Sequence, residues 1–233
     1  MVADISGFEY LNVFPLFDWR HVPGTTVELL PGSSDMTCAD GGKGLCPKYT
    51  GSSHFVGGVD ANAMGVFAFD MTPVEYHEHS NSSLRAHKSW FYFGDASLIS
   101  CVDEISATNP IVTTLEQAWA DIPTADGIAI EQDQSVNGTE FTNNGFVYRS
   151  LTHGAQLQGS VRHRAANWTA VAMEYGDYPS SAGEVFTLSF AHGEEAAPLC
   201  YSVAVRNENS MVSTQAISLG IIEWLGSMKR DFV

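Results

Sequence analysis

The sequence is poor in charge and poorest in cations. Charged residues make up 16% of its 233 positions, and 11 Lys and Arg stand against 27 Asp and Glu, a formal net charge of −16. That imbalance excludes nucleic acid and anionic membrane surfaces as partners of the chain as a whole. Long hydrophobic runs are missing too: no window approaches the roughly 18 consecutive apolar residues of a membrane span. Met1-Val2-Ala3-Asp4-Ile5-Ser6 has neither the basic start nor the apolar run of a signal peptide. Cysteine is scarce, and four residues are too few for a disulfide-framework fold. Cys38 and Cys46 flank a Gly-rich loop and could form a local bridge, or the set could be free thiols in a loop and two strands. Cys101 and Cys200 fall in apolar, strand-like runs and are expected in the core.

Helical periodicity is nearly absent. Residues 114–120 and 218–232 come nearest to it, and neither reads as a long helix. The sequence contains no G-x-S-x-G, P-loop or C-x-x-C pattern and no Ser-His-Asp order, so a self-contained nucleophilic enzyme is not expected. His77-Glu78-His79 puts two imidazoles on one strand face, a spacing a metal could use. No third ligand is identifiable, a surface loop is the expectation, and no metal or cofactor is implied.

What is present points to strands. Hydrophobic residues at 44%, aromatics at 11% and 21 glycines describe a globular chain of short apolar runs joined by tight turns. β-Branched and aromatic runs bounded by Gly, Asn, Asp or Pro lie at 54–59, 65–70, 88–93, 97–102, 127–130, 145–150, 167–173, 184–192 and 199–205. Asn137-Gly138 and Asn144-Gly145 tolerate positive φ and suit the intervening turns. Strands at this spacing predict an all-β fold, a large antiparallel β-sandwich, with residues 1–233 forming a single domain. Asn81-Ser82-Ser83, Asn137-Gly138-Thr139 and Asn167-Trp168-Thr169 match the N-glycosylation triplet, which counts only for a eukaryotic source. A polyanionic ligand would need a local basic patch. The candidates are Arg85, His87 and Lys88, then Arg149, Arg162, His163 and Arg164, for most of which a solvated strand face is the expected role.

Several blocks carry a resemblance. Asp18-Trp19-Arg20-His21-Val22-Pro23-Gly24-Thr25-Thr26 resembles the D-W-x-x-x-P-G-T-T segment of polysaccharide lyase family 8, the hyaluronate, chondroitin and xanthan lyases. Residues 65–70 are similar to the family's G-x-x-x-M-D strand, residues 83–93 to L-x-A-x-K-S-W-F-F-F, residues 97–106 to a strand ending in L-G-x-x-I, and residues 110–117 to V-x-T-T-x-x-Q. Residues 185–193 and 201–205 resemble F-x-L-x-x-x-H-G and Y-x-Y-x-x-x-P, with Asn207 near the place of a common proline. The order is that of the family throughout.

The resemblance implies the family's central β-sandwich, a supersandwich of galactose-mutarotase-like type truncated at both ends. The upstream helical catalytic domain, with its N-G-E-N segment, and the C-terminal β domain are expected to lie outside the chain. It further implies a secreted parent enzyme that cleaves an anionic, uronic-acid-containing polysaccharide by β-elimination. There an Asn neutralises the uronate carboxylate, a His or Tyr takes the C5 proton and a Tyr protonates the leaving oxygen. Those groups belong to the helical domain, the sandwich's partner within the parent protein, so no catalytic residue is assigned in this chain. The sandwich walls one side of the substrate cleft. Trp19, Arg20 and His21 are the candidate substrate-binding residues, since an aromatic face can stack on a sugar and Arg can fork to a carboxylate; the competing role is structural packing. The rival to a lyase domain is a non-catalytic carbohydrate-binding β-sandwich.

Overall fold

The computed structural model describes residues 12–30, 55–62, 64–72, 74–76, 80–94, 97–170, 176–193 and 198–206. The strands in chain order are β1 Thr26–Glu28, β2 Val56–Ala61, β3 Met64–Met71, β4 Val74–Tyr76, β5 Ser80–Ser82, β6 Arg85–Phe93, β7 Ser97–Ser106, β8 Ile111–Trp119, β9 Thr124–Ala125, β10 Ile128–Ala129, β11 Ser135–Gly138, β12 Glu140–Asn143, β13 Phe146–Ser150, β14 Leu157–Ala166, β15 Ser181–His192 and β16 Leu199–Val205. A five-stranded sheet runs β1-β8-β15-β14-β11. A nine-stranded sheet runs β10-β9-β12-β13-β16-β7-β6-β3-β2, and β4 and β5 form a separate hairpin. The pairings are antiparallel, as expected for a sandwich of this class.

The sheets face each other because alternate residues of their strands are apolar. Phe186, Leu188 and Phe190 of β15 and Leu157 and Val161 of β14 point inward, where they meet Phe141, Tyr148, Leu199 and Tyr201 of the larger sheet. Each fully buried side chain of this size contributes roughly 1.5–3 kcal/mol. Gly159 marks the closest approach: a Cβ there would lie 2.3 Å from the Phe141 ring, so only glycine lets β14 cross over it.

The outer face of the smaller sheet is covered as well. Val13, Leu16 and Phe17, on and around a 3-10 turn at Phe14–Leu16, bury Val185 of β15. β8 is thus buried along almost its whole length, polar residues Thr113, Thr114, Glu116 and Gln117 included. This is why residues 114–120 show neither strand alternation nor a helical stripe: both faces of β8 are interior.

Two expectations change. The run expected from 167 does not open as a strand: β14 ends at Ala166 and a 3-10 turn follows at Trp168–Ala170, while residues 171–173 lie outside the described residues. Asn167 explains the break, since its side-chain carbonyl accepts the backbone N–H of Thr169 at 3.0 Å, a local bond that competes with strand pairing. Cys101 and Cys200 are indeed core residues but not free thiols. They are register partners on β7 and β16 and form a disulfide with a Cα–Cα distance of 4.1 Å, buried beside Ile99. The Cys38 to Cys46 loop, His77-Glu78-His79 and the segment at 218–232 lie outside the described residues.

Candidate functional site

A densely hydrogen-bonded turn follows the Phe14–Leu16 segment. Asp18 is buried, and its backbone N–H donates to Gln117 Oε1 at 2.8 Å. The Gln117 amide returns two bonds, from Nε2 to the carbonyls of Asp18 at 3.0 Å and His21 at 2.7 Å. One buried side chain on β8 thereby holds both ends of the turn. Within it, the Asp18 carboxylate accepts a fork from Arg20, Nε to Oδ1 at 2.9 Å and Nη2 to Oδ2 at 2.7 Å, and also the Arg20 backbone N–H at 3.0 Å. His21 Nδ1 stands 3.2 Å from Oδ2. Burial pushes the Asp18 carboxyl up, but the bonds from His21 and Arg20 outweigh it and hold the group well below the usual carboxylate range.

The structure therefore brings Arg20 and His21 together on one carboxylate, both partly exposed. Trp19 points elsewhere. Its ring lies 6.2 Å from that of Phe14 and 5.8 Å from that of Phe17, packed with Val13 and Leu16. Because Asp18 balances the guanidinium, the turn is a preorganised hydrogen-bonding surface more than a strongly cationic one. Positive charge is added alongside by β14. Arg162 lies opposite Val185 and Arg164 opposite Gly183, on the same outer face, and Arg164 Nη1 donates to the Leu16 carbonyl at 3.1 Å.

A second anchor lies behind the turn, between the sheets. Lys88, read from sequence as a member of a surface basic patch, is 2% exposed. Its position between the inward-facing Ala86 and Trp90 of β6 is the signal that places it inside. Lys88 Nζ donates to the Gly24 carbonyl at 2.6 Å and to Thr26 Oγ1 at 3.0 Å, and lies 5.2 Å from the centre of the Trp90 ring. Gly24 takes a φ of 80°, a conformation glycine adopts without steric cost. Thr26 Oγ1 is 2.8 Å from Thr113 Oγ1, which is 2.7 Å from His192 Nε2. Two hydroxyls thus link the Lys88 amine to the imidazole of His192 between the sheets.

Burial pushes Lys88 down to about 7. Burial and then the Lys88 charge push His192 down to about 4, from an ordinary 6.5. A depressed folded value means that this part of the stability is complete above pH 6.5 and is lost as the pH falls toward 4. Denaturant unfolding between those limits is expected to show the loss in the wild type and a flatter profile in His192→Gln, which keeps an acceptor for Thr113 but does not titrate. Equal slopes would show that His192 does not carry the dependence.

Of the remaining candidate cations Arg85 is exposed on β6, and the others have local partners. His87 is exposed and lies 3.4 Å from both Asp70 and Glu104. Arg149 pairs with Glu140 at 2.6 Å and His163 with Glu184 at 2.9 Å, while Arg162 donates to the Gln134 carbonyl at 3.1 Å. Glu116, a buried acid that sequence reasoning did not single out, is pushed up to about 8 by burial, against hydrogen bonds from Asn143 and Tyr148. No group of three or more His, Cys, Asp or Glu able to hold a metal ion occurs among the described residues. No helix there is long and apolar enough to cross a membrane.

Known proteins share this architecture. The curated chondroitinase-AC of Pedobacter heparinus is 26% identical over 208 residues, which is 86% of this chain and 27% of that protein. Among solved structures, a chondroitinase AC lyase superposes with a TM-score of 0.69 at 24% identity, covering 90% of this chain and 30% of the other. The xanthan lyase of Paenibacillus gives 0.62 at 19% identity, with 89% and 20% covered. The chondroitin AC lyase of Streptomyces coelicolor A3 gives 0.61 at 20% identity, with 93% and 27% covered. The chain thus spans less than a third of the length of the relatives it matches. Residues 2–216 match polysaccharide lyase family 8, super-sandwich domain, and the chain therefore belongs to that family.

Proposed function

We propose that this chain is the central β-sandwich of a secreted lyase that cleaves a uronic-acid-containing polysaccharide by β-elimination, and that it forms one wall of the substrate cleft. The observation that carries this reading is the match of residues 2–216 to the family, joined to the doubly anchored turn at Asp18 to His21. The chain's own part is binding and orientation. Arg20, prealigned by Asp18, and His21 offer donors to sugar hydroxyls or to a uronate carboxylate, and Trp19 stiffens the turn from behind. The elimination removes the C5 proton, breaks the bond from C4 to the leaving oxygen, forms a C4–C5 double bond and returns a proton to the departing oxygen. Its acid and base come from a helical domain of the parent protein.

The test uses the chain alone, at high concentration, with hyaluronan, chondroitin sulfate, xanthan and alginate, following the ultraviolet absorbance of the unsaturated uronate and, separately, binding by calorimetry. Binding without product is expected, weakened in Arg20→Ala. Product formation would overturn the placement of the chemistry outside this chain, and absence of any binding would overturn the cleft-wall role.

A further inference from the structure

We infer that Asp60, Asn62 and Tyr92 form a saccharide site that takes a neutral pyranose and is distinct from the Arg20 turn. The β2–β3 hairpin and the end of β6 enclose an open groove of about 450 Å³, lined by these three residues together with Val59, Met64 and Gly65. Asp60, Gly65 and Tyr92 are successive register partners across β2, β3 and β6, so they form one row on one face of the nine-stranded sheet. Gly65 stands in the middle of that row and has no side chain. A Cβ there would lie 3.9 Å from Asp60 Oδ1 and 4.0 Å from Tyr92 Cδ2, so the missing methyl group leaves an opening between a carboxylate and an aromatic ring. The Arg20 turn, by contrast, is tied to β8 in the five-stranded sheet.

The chemistry of the lining selects the ligand. Asp60 and Asn62 are exposed, and among the described residues neither the carboxylate nor the amide side chain is engaged in a hydrogen bond or an ion pair. The carboxylate offers only acceptors, whereas the amide offers two donors and an acceptor. Neighbouring sugar hydroxyls answer both, donating to Asp60 and accepting from Asn62. An ammonium answers the carboxylate alone, and an exposed ion pair of that kind contributes little. A uronate or a sulfate would face Asp60 in a chain of net charge −16, which disfavours an anionic ring. Tyr92 is half-buried, with its ring beside the opening, and Val59 and Met64, 65% and 58% exposed, add apolar surface for the C–H face of a pyranose. Asn62 takes a φ of 59° where β2 gives way to β3, the left-handed region that asparagine enters more readily than most side chains.

The experiment is a chemical-shift titration of the isotope-labelled chain with galactose and N-acetylglucosamine, with glucuronate and glucosamine as anionic and cationic controls. It compares wild type, Asp60→Ala, Gly65→Ala and Arg20→Ala, with a thermal melt of each. Saturable binding of a neutral sugar is expected in the wild type, about five- to tenfold weaker in Asp60→Ala. Gly65→Ala is expected to abolish it and to melt as the wild type does, because its methyl group meets its neighbours at ordinary contact distances, the nearest being the Val59 carbonyl at 3.6 Å. Arg20→Ala is expected to bind the sugar unchanged. Loss of binding in Arg20→Ala, or its retention in Gly65→Ala, would place the sugar elsewhere and overturn the site. Absence of neutral-sugar binding, or glucosamine or glucuronate binding as tightly, would overturn it too. None of these results decides the cleft-wall function, which is read from polysaccharide binding through Arg20.

Discussion

Replacing Cys101 and Cys200 together by alanine is expected to lower stability by about 3–5 kcal/mol and the melting temperature by roughly 10 °C. The cross-link joins β7 to β16 across a sequence separation of 99 residues. A loop of that length gives the unfolded chain a large entropy that the disulfide removes, so nearly the upper end of the range applies. Both residues are also buried in a cluster with Ile99, beside Phe91, Phe93 and Leu151, so alanine loses sulfur packing as well. Calorimetry of the oxidised chain, the chain in a strong reductant and the double variant tests this. Reductant should move the wild type toward the variant and leave the variant unchanged. Identical melting of oxidised and reduced wild type would show that the two thiols are not joined.

Gln117→Leu is expected to cost about 2–4 kcal/mol and to weaken polysaccharide binding without altering the Arg20 or His21 side chain. Gln117 is 0% exposed and serves the Asp18 N–H, the Asp18 carbonyl and the His21 carbonyl at once. Leucine fills the same space but leaves these backbone groups without partners where water does not replace them, and a buried group stripped of its partner bears its full desolvation cost. The Asp18 fork to Arg20 is internal to the turn and survives, so the loss falls on the turn's placement over the sheet. Chemical denaturation and calorimetric binding, run side by side, separate the effects. A variant as stable as the wild type would show that the turn does not depend on β8.

Gln117 also shows how far the sequence could be read. It stands in the T-T-x-x-Q pattern that marks the family, so its position was visible and its role was not. The role arises only when residues 18–21 are laid over β8, a contact across a separation of 99 positions. Lys88 teaches the same lesson with the opposite outcome. Listing cations suggested a surface patch, whereas strand alternation places Lys88 on the inward face with Ala86 and Trp90, a signal that local reading contained and charge counting obscured. β8 was hidden for another reason: with both faces covered, its residues carry no alternation to detect. Trp19, Arg20 and His21 are contiguous in sequence, yet the fold divides them, packing the first against Phe14 and Phe17 and turning the other two onto Asp18.

The sequence by itself determined the class of fold, the family and the position of most of the longer strands, because alternation, turn residues and ordered motifs are local properties that each segment carries on its own. The tertiary structure alone decided that Cys101 pairs with Cys200, which lysine is interior and how one glutamine holds a turn. Those outcomes depend on register and on which face of which sheet a distant segment covers. Register is settled by the summed burial of many residues far apart in the chain, and no window of sequence contains that sum.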